Sequence, residues 1–341
     1  MCGLTGFLGF QGLRDKSEVA DILDRMTDTL VHRGPDDRGT WLDSDGEYAV
    51  GYRRLSILDL TQEGHQPVRS GSGRFVLTFN GEVYNHLALR RELGELGHGF
   101  RGHSDTEVVL AAIEEWGVRE AVPRFWGMFA MAIWDRCERR LLLVRDRLGK
   151  KPLYYGWKKG VFLFGSELKA LRCHPAFHGE LDQESLALYF QYSCVPGEHS
   201  IYQGIRKLRP GCILEVDPGG PGEVGKLEPY WDPWEMAEWG QAHLFQGSDA
   251  EAVDLLEPLF KDAVALRMVA DVPVGAFLSG GIDSSLVVAL MQAQSQRRVK
   301  SFSIGFTEPG YDEAPDAKAV AQHLGTDHTE FYVSPAEAMA V

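Results

Sequence analysis

A thiol stands at the second position of this chain, in the run Met1-Cys2-Gly3-Leu4-Thr5-Gly6-Phe7. Removal of Met1 would give one residue both a sulfur nucleophile and a free α-amine. An α-amine titrates near about 7.7–8.0, so it can accept the thiol proton at neutral pH. A nucleophile and its base then share one residue, which is the logic of N-terminal-nucleophile hydrolysis, and no separate His is required. On position alone, Cys2 also reads as a small apolar residue. A second chemical group is Ser279-Gly280-Gly281-Ile282-Asp283-Ser284-Ser285. Glycines let backbone N–H groups approach an anion closely. The hydroxyls add donors, and the start of a helix adds its positive end. The segment lacks the Gly-Lys-Ser/Thr ending of the Walker loop and the third glycine of the dinucleotide fingerprint. Its plain alternative is a capped turn, with Asp283 or Ser284 as the cap.

These groups need elements to hold them. Residues 4–10 read as a strand, and 17–31 as a helix with Ser17 as its cap and Val19, Ile22, Leu23, Met26 and Leu30 at helical spacing. Strand material follows at 47–58 and around Phe75, Leu77 and Phe79, then helices near 85–97 and 105–117. Apolar runs at 129–134, 141–144, 152–157 and 161–164 form two hairpins. Strands apolar on both faces imply sheets covered on both sides, a layered α+β domain. Asp217-Pro218-Gly219-Gly220-Pro221-Gly222 is the clearest linker signal. Beyond it come a helix over 248–270, a short buried strand at 274–278, a helix from Ser284 to about Gln294, a strand at 301–306, a helix near 313–324 and a strand near 328–333. That order implies a parallel sheet with right-handed crossovers. The expected organisation is one domain over 2–217, a crossing region over 218–247 and a second domain over 248–341.

Composition narrows the functions. At 341 residues, 44% hydrophobic and 25% charged, the chain reads as a globular protein of two domains. A net charge of −14 argues against broad binding of nucleic-acid backbones. The five cysteines, Cys2, Cys137, Cys173, Cys194 and Cys212, never form a C-x-x-C pair, which fits a reducing cytoplasm better than a disulfide framework or a zinc site. No apolar run reaches the ~20 residues of a membrane helix, so no membrane partner is expected.

More motifs lie between the two groups: His32-Arg33-Gly34-Pro35-Asp36-Asp37, Arg54-Leu55-Ser56-Ile57-Leu58-Asp59, Asn80-Gly81-Glu82-Val83-Tyr84-Asn85, Ser104-Asp105-Thr106-Glu107, the stretch from Arg145 to Tyr155, and Ser166-Glu167-Leu168-Lys169-Ala170-Leu171. With Cys2-Gly3 and the 279–285 loop, their order resembles the glutamine-hydrolysing asparagine synthetases. The resemblance implies an αββα N-terminal-nucleophile hydrolase fold followed by part of a Rossmann-like ATP-pyrophosphatase domain. It makes Cys2 the nucleophile, with Asn80 and Gly81 stabilising the tetrahedral oxyanion. Arg54, Ile57, Leu58, Glu82 and Asp105 join Asn80 and Gly81 in binding glutamine, Arg54 on its carboxylate and Asp105 on its ammonium. The residues have plainer readings too. Arg54 suits a solvated strand, Asn80-Gly81 is a type I′ hairpin signal, and Ser104-x-x-Glu107 is a capping box in which Asp105 suits a helix start. Within His32–Asp37, read as a structured active-site loop, Arg33 is the functional member and His32 need not be a base.

The resemblance also implies ATP as co-substrate, with Leu278 and Ile304 toward adenosine and Ser279, Gly280, Gly281, Asp283, Ser284 and Ser285 on the pyrophosphate. Magnesium is expected to accompany the phosphates. In the family, ammonia from glutamine passes through an internal tunnel to a β-aspartyl-AMP, giving asparagine. The expected partners are therefore glutamine, ATP and aspartate, with room for a homodimer. Family members run on past the position of Val341, so the chain reads as the amino-terminal portion of a longer protein. Two other readings stand beside this one: amidation of a different carboxylate, such as a sugar acid or a peptide, and a paralogue with only a glutaminase or regulatory role. Cys2 speaks against the β-lactam-forming relatives, which lack it. The 279–285 loop speaks against the phosphosugar aminotransferases.

Overall fold

A computed structural model describes residues 1–9, 15–44, 47–217, 225–308 and 310–340. The linker signal at 217–222 lies outside the described residues from Pro218 onward. Backbone contacts divide the chain into two compact units, Met1–Ala242 and His243–Val341.

The strands in chain order are β1 (Gly3–Leu8), β2 (Asp37–Leu42), β3 (Tyr48–Arg54), β4 (Val68–Arg69), β5 (Phe75–Val83), β6 (Gly127–Asp135), β7 (Arg140–Arg145), β8 (Tyr154–Lys158), β9 (Val161–Gly165), β10 (Arg206–Lys207), β11 (Cys212–Val216), β12 (Lys226–Pro229), β13 (Gly275–Phe277), β14 (Lys300–Phe306) and β15 (Asp327–Val333). In the first unit they form two six-stranded sheets, ordered β10-β8-β9-β1-β3-β2 and β12-β11-β7-β6-β5-β4.

Period-two alternation of apolar side chains makes this a four-layer sandwich. On β6, Ala130, Ala132 and Trp134 face the inter-sheet core, where they meet Leu4, Tyr48, Val50, Tyr52 and Phe164 of the other sheet. Phe129, Met131 and Ile133 of the same strand face the helices His86–Glu95 and Asp105–Trp116. Phe7, Ala49, Val161 and Leu163 turn the opposite way, toward the helix Lys16–Asp28. The Tyr48 and Trp134 rings stack across the inter-sheet core at 4.9 Å. The expected αββα order is present.

Local expectations fare unevenly. The first helix starts at Lys16, and its cap is Asp15, not Ser17; the Asp15 carboxylate accepts from the N–H groups of Ser17 and Glu18. Ser104 does cap Asp105–Trp116, but Glu107 turns its carboxylate to the N–H groups of Arg101 and Gly102. Asn80-Gly81 is not a hairpin. It lies inside β5, paired with Ala130 and Phe129 of β6, because β5 and β6 pair along their whole nine-residue length. The tight-turn signal yields there to sheet formation.

In the second unit β13, β14 and β15 form a parallel sheet in that order, as expected. The strand β13 is not buried as expected: Phe277 is 77% exposed. Ser248 caps the helix Asp249–Arg267 with a full capping box. The helix after β13 begins at Ile282, two residues before the expected start, with Gly281 as its N-cap.

Candidate functional site

The first unit contains a cavity of about 140 Å³ into which residues of several of these motifs converge. This is small beside the ~300–1,000 Å³ typical of larger ligands, and suits a single amino acid. Cys2, Arg54, Ile57, Leu58, Asn80, Gly81, Glu82 and Asp105 all line it, so every expected glutaminase residue reaches one space.

Cys2 immediately precedes β1 and is held from two sides. Its Sγ accepts from the Leu55 N–H at 3.3 Å. Its carbonyl accepts from Arg33 Nε at 2.9 Å, while Arg33 Nη1 donates to Glu167 Oε1 at 2.8 Å. Burial pushes the Glu167 carboxyl up, but hydrogen bonds from Arg33, His32 and Lys169 outweigh it and bring it to about 2. His32 therefore serves this ion cluster, and neither it nor Arg33 lines the cavity. The Met1 amine stands at the cavity, where burial lowers its pKa against the opposing pull of Cys2.

β5 carries Asn80 and Gly81, the expected oxyanion donors. Alternation sends the N–H groups of residues 79, 81 and 83 to the same edge of the strand. The Phe79 N–H bonds Gln66 Oε1 at 2.6 Å, and the Val83 N–H bonds Asp105 Oδ2 at 2.9 Å. Between them the Gly81 N–H points to the edge where the cavity opens. Its β6 neighbour Phe129 bonds Asp146 through both N–H and carbonyl, so this pair exchanges no ladder bonds. Position 81 requires glycine, because a Cβ there would stand 2.3 Å from the Met128 carbonyl oxygen. The neighbouring Asn80 side chain is fully buried, and neither Nδ2 nor Oδ1 has a hydrogen-bond partner. An unsatisfied buried amide costs about 1–3 kcal/mol, which a ligand oxygen would recover.

The other two anchors are charged. Burial raises the Asp105 carboxyl to about 7; Glu82 adds to the rise, and the Val83 N–H opposes it. A bound ammonium would favour the charged form. Arg54 is 7% exposed and has no carboxylate partner among the described residues. Its Nη1 donates to the Thr61 carbonyl at 3.2 Å, and Nη2 donates to the carbonyls of Leu58, at 3.1 Å, and Asp59. The loop carrying Ile57 and Leu58 is thus clamped onto the guanidinium. Sequence reasoning missed Tyr52, Gln66, Thr106, Met128 and Lys151, which also line the cavity. Lys151 is 4% exposed; burial lowers its pKa, against Glu82 and Cys2. The one available signal was a lysine inside an otherwise structural motif, Gly149-Lys150-Lys151-Pro152.

In the second unit the 279–285 loop joins β13 to the helix Ile282–Gln294. Gly281 caps that helix, so Asp283 and Ser284 sit in its first turn and neither is the cap. No side chain caps it, which leaves its first N–H groups open. Gly280 has φ +81°, and a Cβ there would meet Asp316 and Ala317 at 2.8–2.9 Å. Ser284 Oγ donates to the Gly281 carbonyl at 3.2 Å and contacts Ser279 Oγ at 3.0 Å. Ser285 Oγ is buried without a partner. The Leu278 side chain is buried against Val288, Ala317 and Ala321, whereas Ile304 is 49% exposed. Among the described residues no three His, Cys, Asp or Glu gather as a metal cage, and no helix is long and apolar enough to cross a membrane.

Residues 1–231 match the glutamine amidotransferase domain, and residues 255–341 match asparagine synthase. A putative glutamine-hydrolysing asparagine synthetase of Mycobacterium tuberculosis is 35% identical over 100% of this chain and 53% of its own length. Asparagine synthetase 3 of Bacillus subtilis is 34% identical over 98% of this chain and 54% of its own length. The chain thus spans about half the length of these relatives. A solved glutamine phosphoribosylpyrophosphate amidotransferase from B. subtilis covers 99% of this chain, with 92% of its own length matched, at a TM-score of 0.51 and 15% identity, a likeness of fold. A thiol, an unpartnered amide, a bare N–H and a buried carboxylate in one cavity, within a match spanning residues 1–231, place this chain in the glutamine amidotransferase family, with an asparagine synthase segment after it.

Proposed function

We propose that Cys2 hydrolyses glutamine to glutamate and ammonia, and that the ammonia serves an ATP-dependent synthesis of asparagine. The observation that carries the first half is the unpartnered Asn80 amide beside the Gly81 N–H, in the same cavity as the Cys2 thiol. Asp105 takes the substrate ammonium and Arg54 its carboxylate. After removal of Met1, the Cys2 amine accepts the thiol proton and the sulfur attacks the side-chain amide carbon. Negative charge collects on the carbonyl oxygen, where Asn80 Nδ2 and the Gly81 N–H receive it. The C–N bond breaks, the amine returns its proton to the leaving nitrogen, and ammonia departs. Water then cleaves the thioester to glutamate. The partly buried position of the Met1 amine supports an environment in which an amine can act as a base near neutral pH.

For the second half, the 279–285 loop binds the pyrophosphate of ATP. Its open N–H groups and the left-handed Gly280 support this role. Magnesium would arrive on the phosphates as part of the nucleotide substrate. The aspartate side-chain carboxylate attacks the α-phosphate of ATP, giving an acyl-adenylate and releasing pyrophosphate; ammonia then displaces AMP, and asparagine forms. The names of the relatives support aspartate as the acceptor. A thiol nucleophile suits a reducing, cytoplasmic setting.

Glutamate release from glutamine, with and without Cys2→Ala, tests the first half. Loss of at least about 1,000-fold is expected, and unchanged release sinks the assignment. Asparagine and pyrophosphate measured with ATP and aspartate, against other carboxylic acids, test the second.

A further inference from the structure

The nucleophile shares its cavity with a buried phenol. Tyr52 lies on β3 directly opposite Leu4 of β1, so alternation puts it diagonally across from Cys2 on the same face of the sheet. It is 2% exposed, lines the cavity and interacts with the Cys2 thiol.

Gln66 decides where the hydrogen of this phenol points. Gln66 Oε1 accepts from the Phe79 N–H at 2.6 Å, which makes Nε2 the outward donor. Nε2 donates to Tyr52 Oη at 3.2 Å and to Thr106 Oγ1 at 3.3 Å. With a lone pair of the Tyr52 oxygen taken by an amide, its hydrogen is free for the sulfur. Gln66 is itself 3% exposed. It ties the phenol to the residue before Asn80 and the residue after Asp105. Burial, followed by the neighbouring Cys2, holds the Tyr52 phenol well above its usual range, so it remains a donor at any working pH.

We propose that Tyr52 is a catalytic residue of this glutaminase, its hydroxyl donating a hydrogen bond to Cys2 Sγ and stabilising the sulfur in its anionic, attacking form. The Leu55 N–H, at 3.3 Å, is the second donor to the same sulfur, and Gln66 is the positioning residue. No bond to Tyr52 is made or broken: the thiol proton goes to the Cys2 amine, and the phenol keeps its own. The assignment rests on the glutaminase reading above.

Tyr52→Phe in the intact chain is the test, because it removes one oxygen and keeps the ring. A hydrogen bond to a charged group is worth about 1.5–3 kcal/mol, so kcat for glutamate release is expected to fall about 10- to 100-fold. KM should stay within about twofold, and alkylation of Cys2 by iodoacetamide should slow about tenfold. Gln66→Met should move the same two readouts in the same direction by about half that factor on a logarithmic scale, and it carries the test if Tyr52→Phe folds poorly. Unchanged alkylation and kcat in a folded Tyr52→Phe would overturn the proposal, as would a loss confined to KM. If the wild-type chain alkylates at Cys2 but releases no glutamate, the glutaminase reading fails instead. The alkylation comparison then still decides whether Tyr52 acts on the sulfur.

Discussion

The two units bury apolar surface to different extents, and their sites differ accordingly. In the first, both faces of both sheets are covered, and side chains as large as Trp134 and Tyr52 are enclosed between them. Its polar site is cut into that closed interior. Asn80 can therefore be held buried without a hydrogen-bond partner, and Asp105 buried with the Val83 N–H on its carboxylate, at a cost the surrounding core can bear. In the second, two small clusters suffice, one around Val264 and Leu290, the other around Leu278 and Val288. β14 turns Ser301 and Ser303 inward and leaves Phe302, Ile304 and Phe306 from 38 to 49% exposed, beside Phe331 at 65%. Its loop residues stay largely exposed, and the anion site proposed there consists of backbone groups at a helix start. A buried site draws its power from desolvation and fixed side-chain dipoles, whereas an exposed loop relies on many N–H groups that any chain can offer.

If this contrast holds, substitutions in the closed unit should act on chemistry with large factors, and those in the open unit should act weakly. Asp105→Asn is the strongest probe. It should lower kcat/KM for glutamine about 100-fold by removing a charged hydrogen bond, as steady-state glutamate release will show. The wild type should also lose glutamine kcat/KM below pH 7, where Asp105 becomes protonated, by about tenfold per pH unit. A loss only near pH 4 would mean that the carboxylate is solvated and the contrast is wrong. The stability effect has the opposite sense. A carboxyl whose pKa is raised by folding weakens the fold as pH climbs from its unfolded value toward 7. Asp105→Asn should therefore raise the melting temperature at pH 8 and leave it unchanged at pH 3.

A middle-sized effect is expected at Gly280→Ala, which forces a Cβ onto a left-handed backbone and against Ala317. It should cost about 2 kcal/mol in urea unfolding of the second unit, while glutamate release stays at the wild-type rate. The smallest effect belongs to Phe302→Ser combined with Ile304→Thr. These side chains are 38 and 49% exposed, so stability should shift by less than about 0.5 kcal/mol. Binding of a hydrophobic dye should drop. A large stability loss would show that this face is packed in solution and the open-unit description fails.

Much of the site was legible in the sequence, because its chemistry comes in short runs. Cys2-Gly3, Asn80-Gly81 and Ser104-Asp105 each carry an atom for which a reacting or binding role is proposed, and all of them line one cavity or flank it. Tyr52, Gln66 and Lys151 were not legible. Each reaches the cavity from a different element, and nothing in a Tyr on an alternating strand marks it as facing a sulfur fifty residues away. Asn80-Gly81 shows the limit from the other side. Its local turn propensity is strong, yet nine consecutive pairings with β6 outweigh it.

Sequence alone determined the kind of chemistry proposed: a thiol beside the chain's start, an amide and a glycine N–H proposed for an oxyanion, carboxylate and guanidinium proposed for an amino acid, and a glycine-rich loop proposed for phosphate. It also determined the layered order of the elements, since period-two alternation fixes which side chains can face inward. Only the tertiary structure decided which groups are desolvated and left without partners. Those properties depend on what the other sheet and the helices bring into the same space. They distinguish Asn80, held without partners in a closed core, from the Ser279 and Ser284 hydroxyls, which contact each other in an exposed loop.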